Sequence, residues 1–355
     1  LAAREDPFTW GIVGTGAIAR QFAGDLALLT GARIGAVHSR SERSGADFVA
    51  ATGAVAKVHT DLEALLADPS LDAIYIASPN AAHAGQAIAA IEAGKPVLVE
   101  KPLATSSDDA RAIAALAAAR RCFAMEGMWS RFLPAVQAAR ALIRQGAIGE
   151  VTHIEGELAF ERKEQAGDRF FDPALGGGAS LDLGVYPLSL GIHLLGQPSE
   201  VSGRWWAAAS GVDMRAEYRL RFGAATGLLS CGFDRNGANH LTVSGTQGAV
   251  RLHPPFLKAQ RLTVYGKARD WPLVGAGAAG SGLVAKVLAR LPVPGRRVEH
   301  FFFPGGGLQF EADAVMAAVR SGAAQSETMP LSESVAVLEL IETILTRPPE
   351  TSLRN

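Results

Sequence analysis

"FTWGIVGTGAIARQF", residues 8–22, runs from an apolar stretch of strand length, through Gly14-Thr15-Gly16-Ala17-Ile18-Ala19, into apolar residues at helical spacing. The central six residues read G-x-G-x-x-A. In such a turn Gly14 permits the tight bend and Gly16 lets the backbone approach a pyrophosphate, while Ala19 allows close packing of helix on strand. The free N–H groups at Ala17 and Ile18 then face phosphate oxygens. Glycine-rich turns also arise for packing alone, so the flanking pattern has to decide.

That pattern is a strict alternation. "RIGAVHS" (33–39), "AVAKVH", "DAIYIAS" (72–78), "PVLVE" and "CFAME" (122–126) read as further strands. Helical segments separate them: one stopping near Gly53, one in "TDLEALLADP", one in "AAHAGQAIAAIEAG" and one in "SSDDARAIAALAAARR". Thr60 and Glu63 form a capping-box pattern, and Pro69 closes that helix. Alternating strands and helices imply right-handed crossovers and a parallel sheet covered on both faces. Residues 1–130 are therefore expected to form an α/β Rossmann dinucleotide-binding domain.

From residue 131 to residue 355 the pattern becomes α+β. A helix, "LPAVQAARALIRQG", is followed by strand-like runs: "VTHIEGELAF", "EVSGRWWAA", "EYRLRF", "TGLLSCGF", "HLTVSGTQGAVRL" and "RLTVYG". Turn residues between them fit a mostly antiparallel sheet. "SLDLGVYPLSLGIHLLG" interrupts as a helix, and two helices, 308–321 and 331–346, end the chain. The last of these could return to the first domain. The Gly/Pro-rich segment 267–298 reads as a surface insertion around one short helix.

Composition narrows the function. Of the 355 residues, 48% are hydrophobic and 19% charged, with formal net charge −1. That is a globular composition with no global attraction for nucleic acid or an anionic membrane. Two cysteines, Cys122 and Cys231, make no disulfide framework and no metal-binding pattern. No apolar run is long enough to span a bilayer. "LAAREDPFTW" lacks the charge order of a secretory signal. A cytoplasmic protein without metal, nucleic-acid or membrane partners is the expectation.

An NAD site wants an acid at the end of the second strand, roughly 20 residues after the glycines, to take the ribose hydroxyls. Here the chain reads His38-Ser39-Arg40-Ser41. Ser39 could donate to a 2′-phosphate and Arg40 could neutralise it, so NADP is expected over NAD. In open parallel sheets ligands sit outside the C-terminal strand ends. Ser78, Asn80 and His83 follow one such end, and Glu100-Lys101-Pro102 another. His83 could seat the nicotinamide or merely sit in the first turn of its helix. Lys-Pro suggests a constrained, even cis, bond.

Together "GIVGTGAIA", "SPNAAHAGQAIAAIEAGKPVLVEKPLA" and "LGGGASLDLGVYPLSLGIHLLG" resemble the glucose–fructose oxidoreductase/inositol dehydrogenase (Gfo/Idh/MocA) family, from about residue 8 to residue 346. "MEGMWSRFLP" and "RFFDPALGGGASLDLGVYPL" most resemble its NADP-dependent trans-dihydrodiol and D-xylose dehydrogenases. The resemblance implies hydride transfer between NAD(P) and an alcohol or carbonyl carbon, and a second domain whose large open sheet often joins subunits into a homodimer or homotetramer. Most members carry an acid/base histidine four residues after the motif aspartate. This chain has Tyr186 there, after Asp182 and Gly184, as the dihydrodiol branch does.

The chemistry stands beside the resemblance. Oxidising an alcohol needs a group to take the hydroxyl proton, and a phenol with pKa near 10 is a poor base. An adjacent ammonium lowers it, so Lys101 is expected to depress Tyr186, with Asp182 positioning substrate or lysine. Each has a plainer reading: Tyr186 as core, Lys101 as an exposed strand-end residue, Asp182 as structural. Trp129 and Arg131 resemble pocket residues, with interdomain packing the alternative. Phe160 falls where that branch places an aromatic wall. A neutral carbohydrate, cyclic polyol or vicinal diol fits these residues best. The alternatives are a ketosugar reductase with tightly held cofactor and a non-catalytic NADP(H) sensor.

Overall fold

The structure, a computed structural model, describes residues 7–165, 167–266 and 295–350. Six parallel strands form the first sheet: β1 (Phe8–Val13), β2 (Ala32–His38), β3 (Lys57–His59), β4 (Ala73–Ile76), β5 (Val97–Glu100) and β6 (Ala124–Gly127). Their spatial order is β3-β2-β1-β4-β5-β6. Every residue of β1, β4, β5 and β6 is buried, because helices cover both faces. Among those helices are α1 (Ala17–Leu26), α2 (Glu42–Thr52), α3 (Leu62–Leu66), α4 (His83–Glu92) and α5 (Ser107–Arg120).

Strand order reverses between β1 and β4, and at that point Gly14 is indispensable. Its φ is +102°, and a Cβ there would stand 2.6 Å from the Ala77 carbonyl oxygen. The cap of α3 differs from the sequence reading. Asp61, not Thr60, accepts from the Glu63 N–H, at 3.1 Å, since a carboxylate is at least as good a cap as a hydroxyl.

After α6 (Pro134–Arg144) the chain builds an eight-stranded sheet. Its strands are β7 (Val151–Ala159), β8 (Glu200–Ala207), β9 (Asp213–Phe222), β10 (Ala225–Gly232), β11 (Leu241–Gly245), β12 (Gly248–Leu252), β13 (Arg261–Tyr265) and β14 (Arg296–His300). They lie in the order β14-β13-β12-β11-β7-β10-β9-β8. All pairs are antiparallel except β7 with β10. On β9, Ala216, Tyr218, Leu220 and Phe222 face inward. Arg215, Glu217, Arg219 and Arg221 alternate with them on the other face, following the two-residue period of a pleated strand.

The inner face packs against α7 (Val185–Leu195), whose "VYPLSLGIHLL" is buried almost throughout. A helix apolar on all sides belongs in a core. The closing helices are α8 (Leu308–Arg320) and α9 (Leu331–Leu345). α9 returns to α5: the Ser107 N–H donates to Glu342 at 2.6 Å and Arg111 pairs with Glu339 at 2.5 Å. Most of the segment expected as an insertion, 267–294, lies outside the described residues. Its last residues belong to β14, whose "RRVEH" lacks apolar alternation because it is a largely exposed edge strand, protected by charge.

Candidate active site

The apolar run of β5 ends in three residues with separate tasks. Glu100 turns inward and is only 5% exposed. Its carboxylate accepts from the Tyr75 hydroxyl at 2.6 Å and from the Lys101 N–H at 3.1 Å. Both carboxylate oxygens are thus engaged by the protein. The Lys101–Pro102 bond is cis. Lys101 crosses to the second half of the chain, where its ammonium donates to the Asp182 carboxylate at 3.0 Å and to the Asp182 carbonyl at 2.8 Å. Burial alone would lower its pKa, but Asp182, Tyr186 and Glu100 outweigh burial and hold it raised. The lysine is a fixed cation.

Asp182 sits in a widened π turn, Ser180–Gly184, that leads into α7. Tyr186 follows in the first turn of α7. Its hydroxyl oxygen accepts from the Trp129 indole N–H at 3.0 Å, and Lys101 Nζ lies 5.1 Å from its ring centroid. Burial pushes the phenol pKa up to about 12, against the opposing pull of Lys101 and the Trp129 hydrogen bond. Lys101 does pull the phenol down, as expected, but burial outweighs it and the net shift is upward. The lysine's hydrogen bonds go to Asp182 and it meets the tyrosine through the ring, so desolvation decides. At neutral pH Tyr186 is a protonated phenol.

The loops after β4 and β5 are tied together from below. The His83 ring is 1% exposed, with Nδ1 2.8 Å from the Pro102 carbonyl oxygen and Nε2 2.9 Å from that of Ser78. Burial lowers its pKa, and a neutral ring has one N–H to give, so one of these contacts is the hydrogen bond. His83 is the first residue of α4, the second of the two places expected for it, and it is buried between the loops. Ser78 Oγ donates to Gln86 Oε1 at 2.6 Å, and Asn80 Nδ2 reaches across to the Gly176 carbonyl at 3.1 Å.

Arg131 is fully buried. Its guanidinium donates to Ser189 Oγ and O, both at 2.8 Å, to the Thr328 carbonyl at 3.0 Å, and to Glu333. It joins the turn after β6 to α7 and α9, so of its two readings the packing one holds. Phe160, at the end of β7, is 39% exposed.

Two carboxyls beneath Lys101 gave no signal in the sequence. Glu126 accepts from the Leu103 N–H at 2.9 Å, holding the loop beyond Pro102. Glu311, on α8, is wholly buried, and among the described residues neither of its oxygens has a hydrogen-bond partner. Burial, together with Glu100, Glu126 and Asp25, raises its pKa well above the carboxylate range. No periodicity marks Glu311, because it meets these acids only through the packing of α8.

The first sheet can hold a dinucleotide. Gly16 caps α1 without any side-chain hydrogen bond, and a Cβ there would meet nothing within 4 Å. No side chain caps the first turn of α1, and nothing crowds Gly16, as an anion site there requires. At the end of β2, Ser39 is buried and its N–H donates to the His59 carbonyl at 3.0 Å. Arg40 is exposed and makes no ion pair among the described residues.

Residues 8–128 match the model of an oxidoreductase family with an NAD-binding Rossmann fold, GFO/IDH/MocA, and residues 136–251 match that family's C-terminal domain. The chain is 30% identical to trans-1,2-dihydrobenzene-1,2-diol dehydrogenase of Bos taurus over 94% of its own length and 95% of that protein's. It is 29% identical to D-xylose 1-dehydrogenase (NADP(+)) of Hypocrea jecorina, over 97% and 93% of the two chains. Its backbone follows that of an aldose-aldose oxidoreductase from Caulobacter crescentus with a TM-score of 0.80, at 22% identity, over 96% of this chain and 97% of that one.

Proposed function

The chain belongs to the Gfo/Idh/MocA oxidoreductase family, and on that premise we propose an NADP-dependent dehydrogenase or reductase acting on a hydroxyl or carbonyl carbon of a sugar, cyclic polyol or vicinal diol. The observation that carries this reading is the bond from Trp129 to Tyr186. An indole N–H only donates, so the phenol oxygen is the acceptor and the phenol's own hydrogen is left for another partner. Beside Lys101 and Asp182, that partner is the reacting oxygen of a substrate in this reading.

Bound nicotinamide supplies hydride to a carbonyl carbon or takes it from an alcohol carbon. In reduction Tyr186 gives its proton to the carbonyl oxygen, yielding the alcohol; in oxidation the same oxygen takes that proton back. Lys101 stabilises negative charge on the reacting oxygen and on the tyrosinate left behind. Asp182 fixes the lysine's direction. A phenol held near 12 is protonated at neutral pH, the form that can give a proton to a carbonyl oxygen. The N–H groups at Gly16, Ala17 and Ile18 would meet the pyrophosphate, Asn80 the nicotinamide side, and Arg40 a 2′-phosphate. The Hypocrea relative, named as NADP-dependent, agrees with that last assignment. The open, charged face of the eight-stranded sheet would join two or four copies.

The test follows nicotinamide absorbance with purified protein, both cofactors, and a panel of aldoses, inositols, trans-cyclohexanediols and ketosugars. Turnover with NADP(H) preferred over NAD(H) is expected. Tight NADPH binding without turnover on any of them would replace the enzyme by a sensor.

A further inference from the structure

The π turn that carries Asp182 needs something beneath it to hold it in place. The Ser180 N–H and the Ser180 hydroxyl both approach one oxygen of Asp213, at 2.7 and 2.6 Å. A second contact, 2.6 Å, joins Ser180 Oγ to the Tyr218 hydroxyl. The proton order follows from valence. The carboxylate only accepts, so Ser180 gives it both hydrogens, and Tyr218 must then donate to Ser180 Oγ. All of these groups are buried.

The glycines of "LGGGAS" make room for this arrangement. Gly178 has φ +117°, and a Cβ there would stand 2.2 Å from Asp213 Oδ1. At Gly184, two residues after Asp182, a Cβ would stand 2.9 Å from Cys231 Sγ. The turn is thus pressed onto β9 and β10 at both ends.

We propose that Asp213, through Ser180 and Tyr218, is a positioning residue that sets the π turn so that Asp182 and Tyr186 meet Lys101 in the cleft. This rests on the catalytic reading of Tyr186 given above. Asp213 touches neither substrate nor cofactor in this assignment; it acts on the turn. Ser180 faces it from the π turn, Tyr218 from its own strand and Cys231 from β10, and among the described residues it makes no ion pair. Burial pushes its pKa up to about 6, with Ser180's hydrogen bonds pulling the other way. The anchor therefore holds above that pH and weakens below it.

The experiment compares wild type, Asp213→Ala, Asp213→Asn, Tyr218→Phe and Tyr186→Phe for kcat, KM, NADPH affinity by fluorescence, and pH profile. Asp213→Ala is expected to lower kcat on the order of 10²-fold, the scale of a small misplacement of reacting groups, with NADPH affinity unchanged. Asp213→Asn should lose the fall in kcat that wild type shows as pH drops through about 6. A folded Asp213→Ala with wild-type kcat, or an acid limb that persists in Asp213→Asn, overturns the proposal. If Asp213→Ala does not fold, Tyr218→Phe decides: a several-fold loss of kcat at unchanged NADPH affinity supports the anchor, and wild-type kcat refutes it. Tyr186→Phe separates the two levels. If it turns over normally the catalytic reading is wrong, whereas an inactive Tyr186→Phe beside a normal Asp213→Ala removes only the anchor.

Discussion

Trp129 donates its indole N–H to the Tyr186 hydroxyl oxygen at 3.0 Å, so a residue from the end of the parallel sheet determines where a phenol on α7 can send its own proton. Trp129→Phe keeps the bulk of the ring and removes the donor. Net hydrogen-bond contributions are about 0.5–1.5 kcal/mol, so kcat should fall roughly 2- to 10-fold with NADPH affinity unaltered. Steady-state kinetics beside a fluorescence titration checks this.

Lys101 and Asp182 form a partly buried pair, with side chains 16% and 17% exposed. Lys101→Met leaves the carboxylate without its cation and removes a charge that opposes the upward shift of Tyr186. Losing a preorganised electrostatic group of this kind costs on the order of 10²- to 10³-fold in kcat. Lys101→Arg should not restore activity, because a planar fork cannot place one point charge between the Asp182 oxygens and the ring. Near-normal turnover in Lys101→Met would show the pair to be structural only.

Tyr186 titrates near 12, so its proton is present throughout the neutral range. The two directions should then respond differently to pH. Reduction should show no loss between pH 7 and 9 from this group, while oxidation should climb with pH as the fraction of phenolate grows. Initial rates in both directions across that range are the check.

Glu311 carries the opposite sign to most protein carboxyls. Its folded pKa lies above the unfolded value of about 4.3, so the folded state favours the proton. The stability this lends is complete below pH 4.3 and is lost as pH rises toward the folded pKa. Glu311→Gln should therefore raise the melting temperature at pH 7–8, by about 2–4 °C for each kcal/mol regained, and change it little near pH 4. Calorimetry at the two pH values reads the difference.

Much of this was legible in the chain. The G-x-G-x-x-A turn and six alternations of strand and helix announce the first sheet, because those patterns are local. Lys101, Asp182 and Tyr186 were singled out separately, and the fold brings them together. What could not be read depends on what packs against what. Arg131 resembled a pocket residue until Ser189 and Glu333 closed around it. Glu311 and Asp213 have no local signature at all. The direction of the Tyr186 shift turned on burial, which the lysine's nearness in a motif does not reveal. β14 escaped because an exposed edge strand needs no apolar alternation.

The most direct test of Tyr186 as the proton carrier is a single-turnover measurement of NADPH oxidation by a ketosugar in wild type and Tyr186→Phe. The account predicts unchanged NADPH binding and hydride transfer slowed by about 10²- to 10⁴-fold in the variant, the usual contribution of a positioned general acid. Hydride transfer at the wild-type rate in Tyr186→Phe would contradict it and move the proton's source to another group in the cleft.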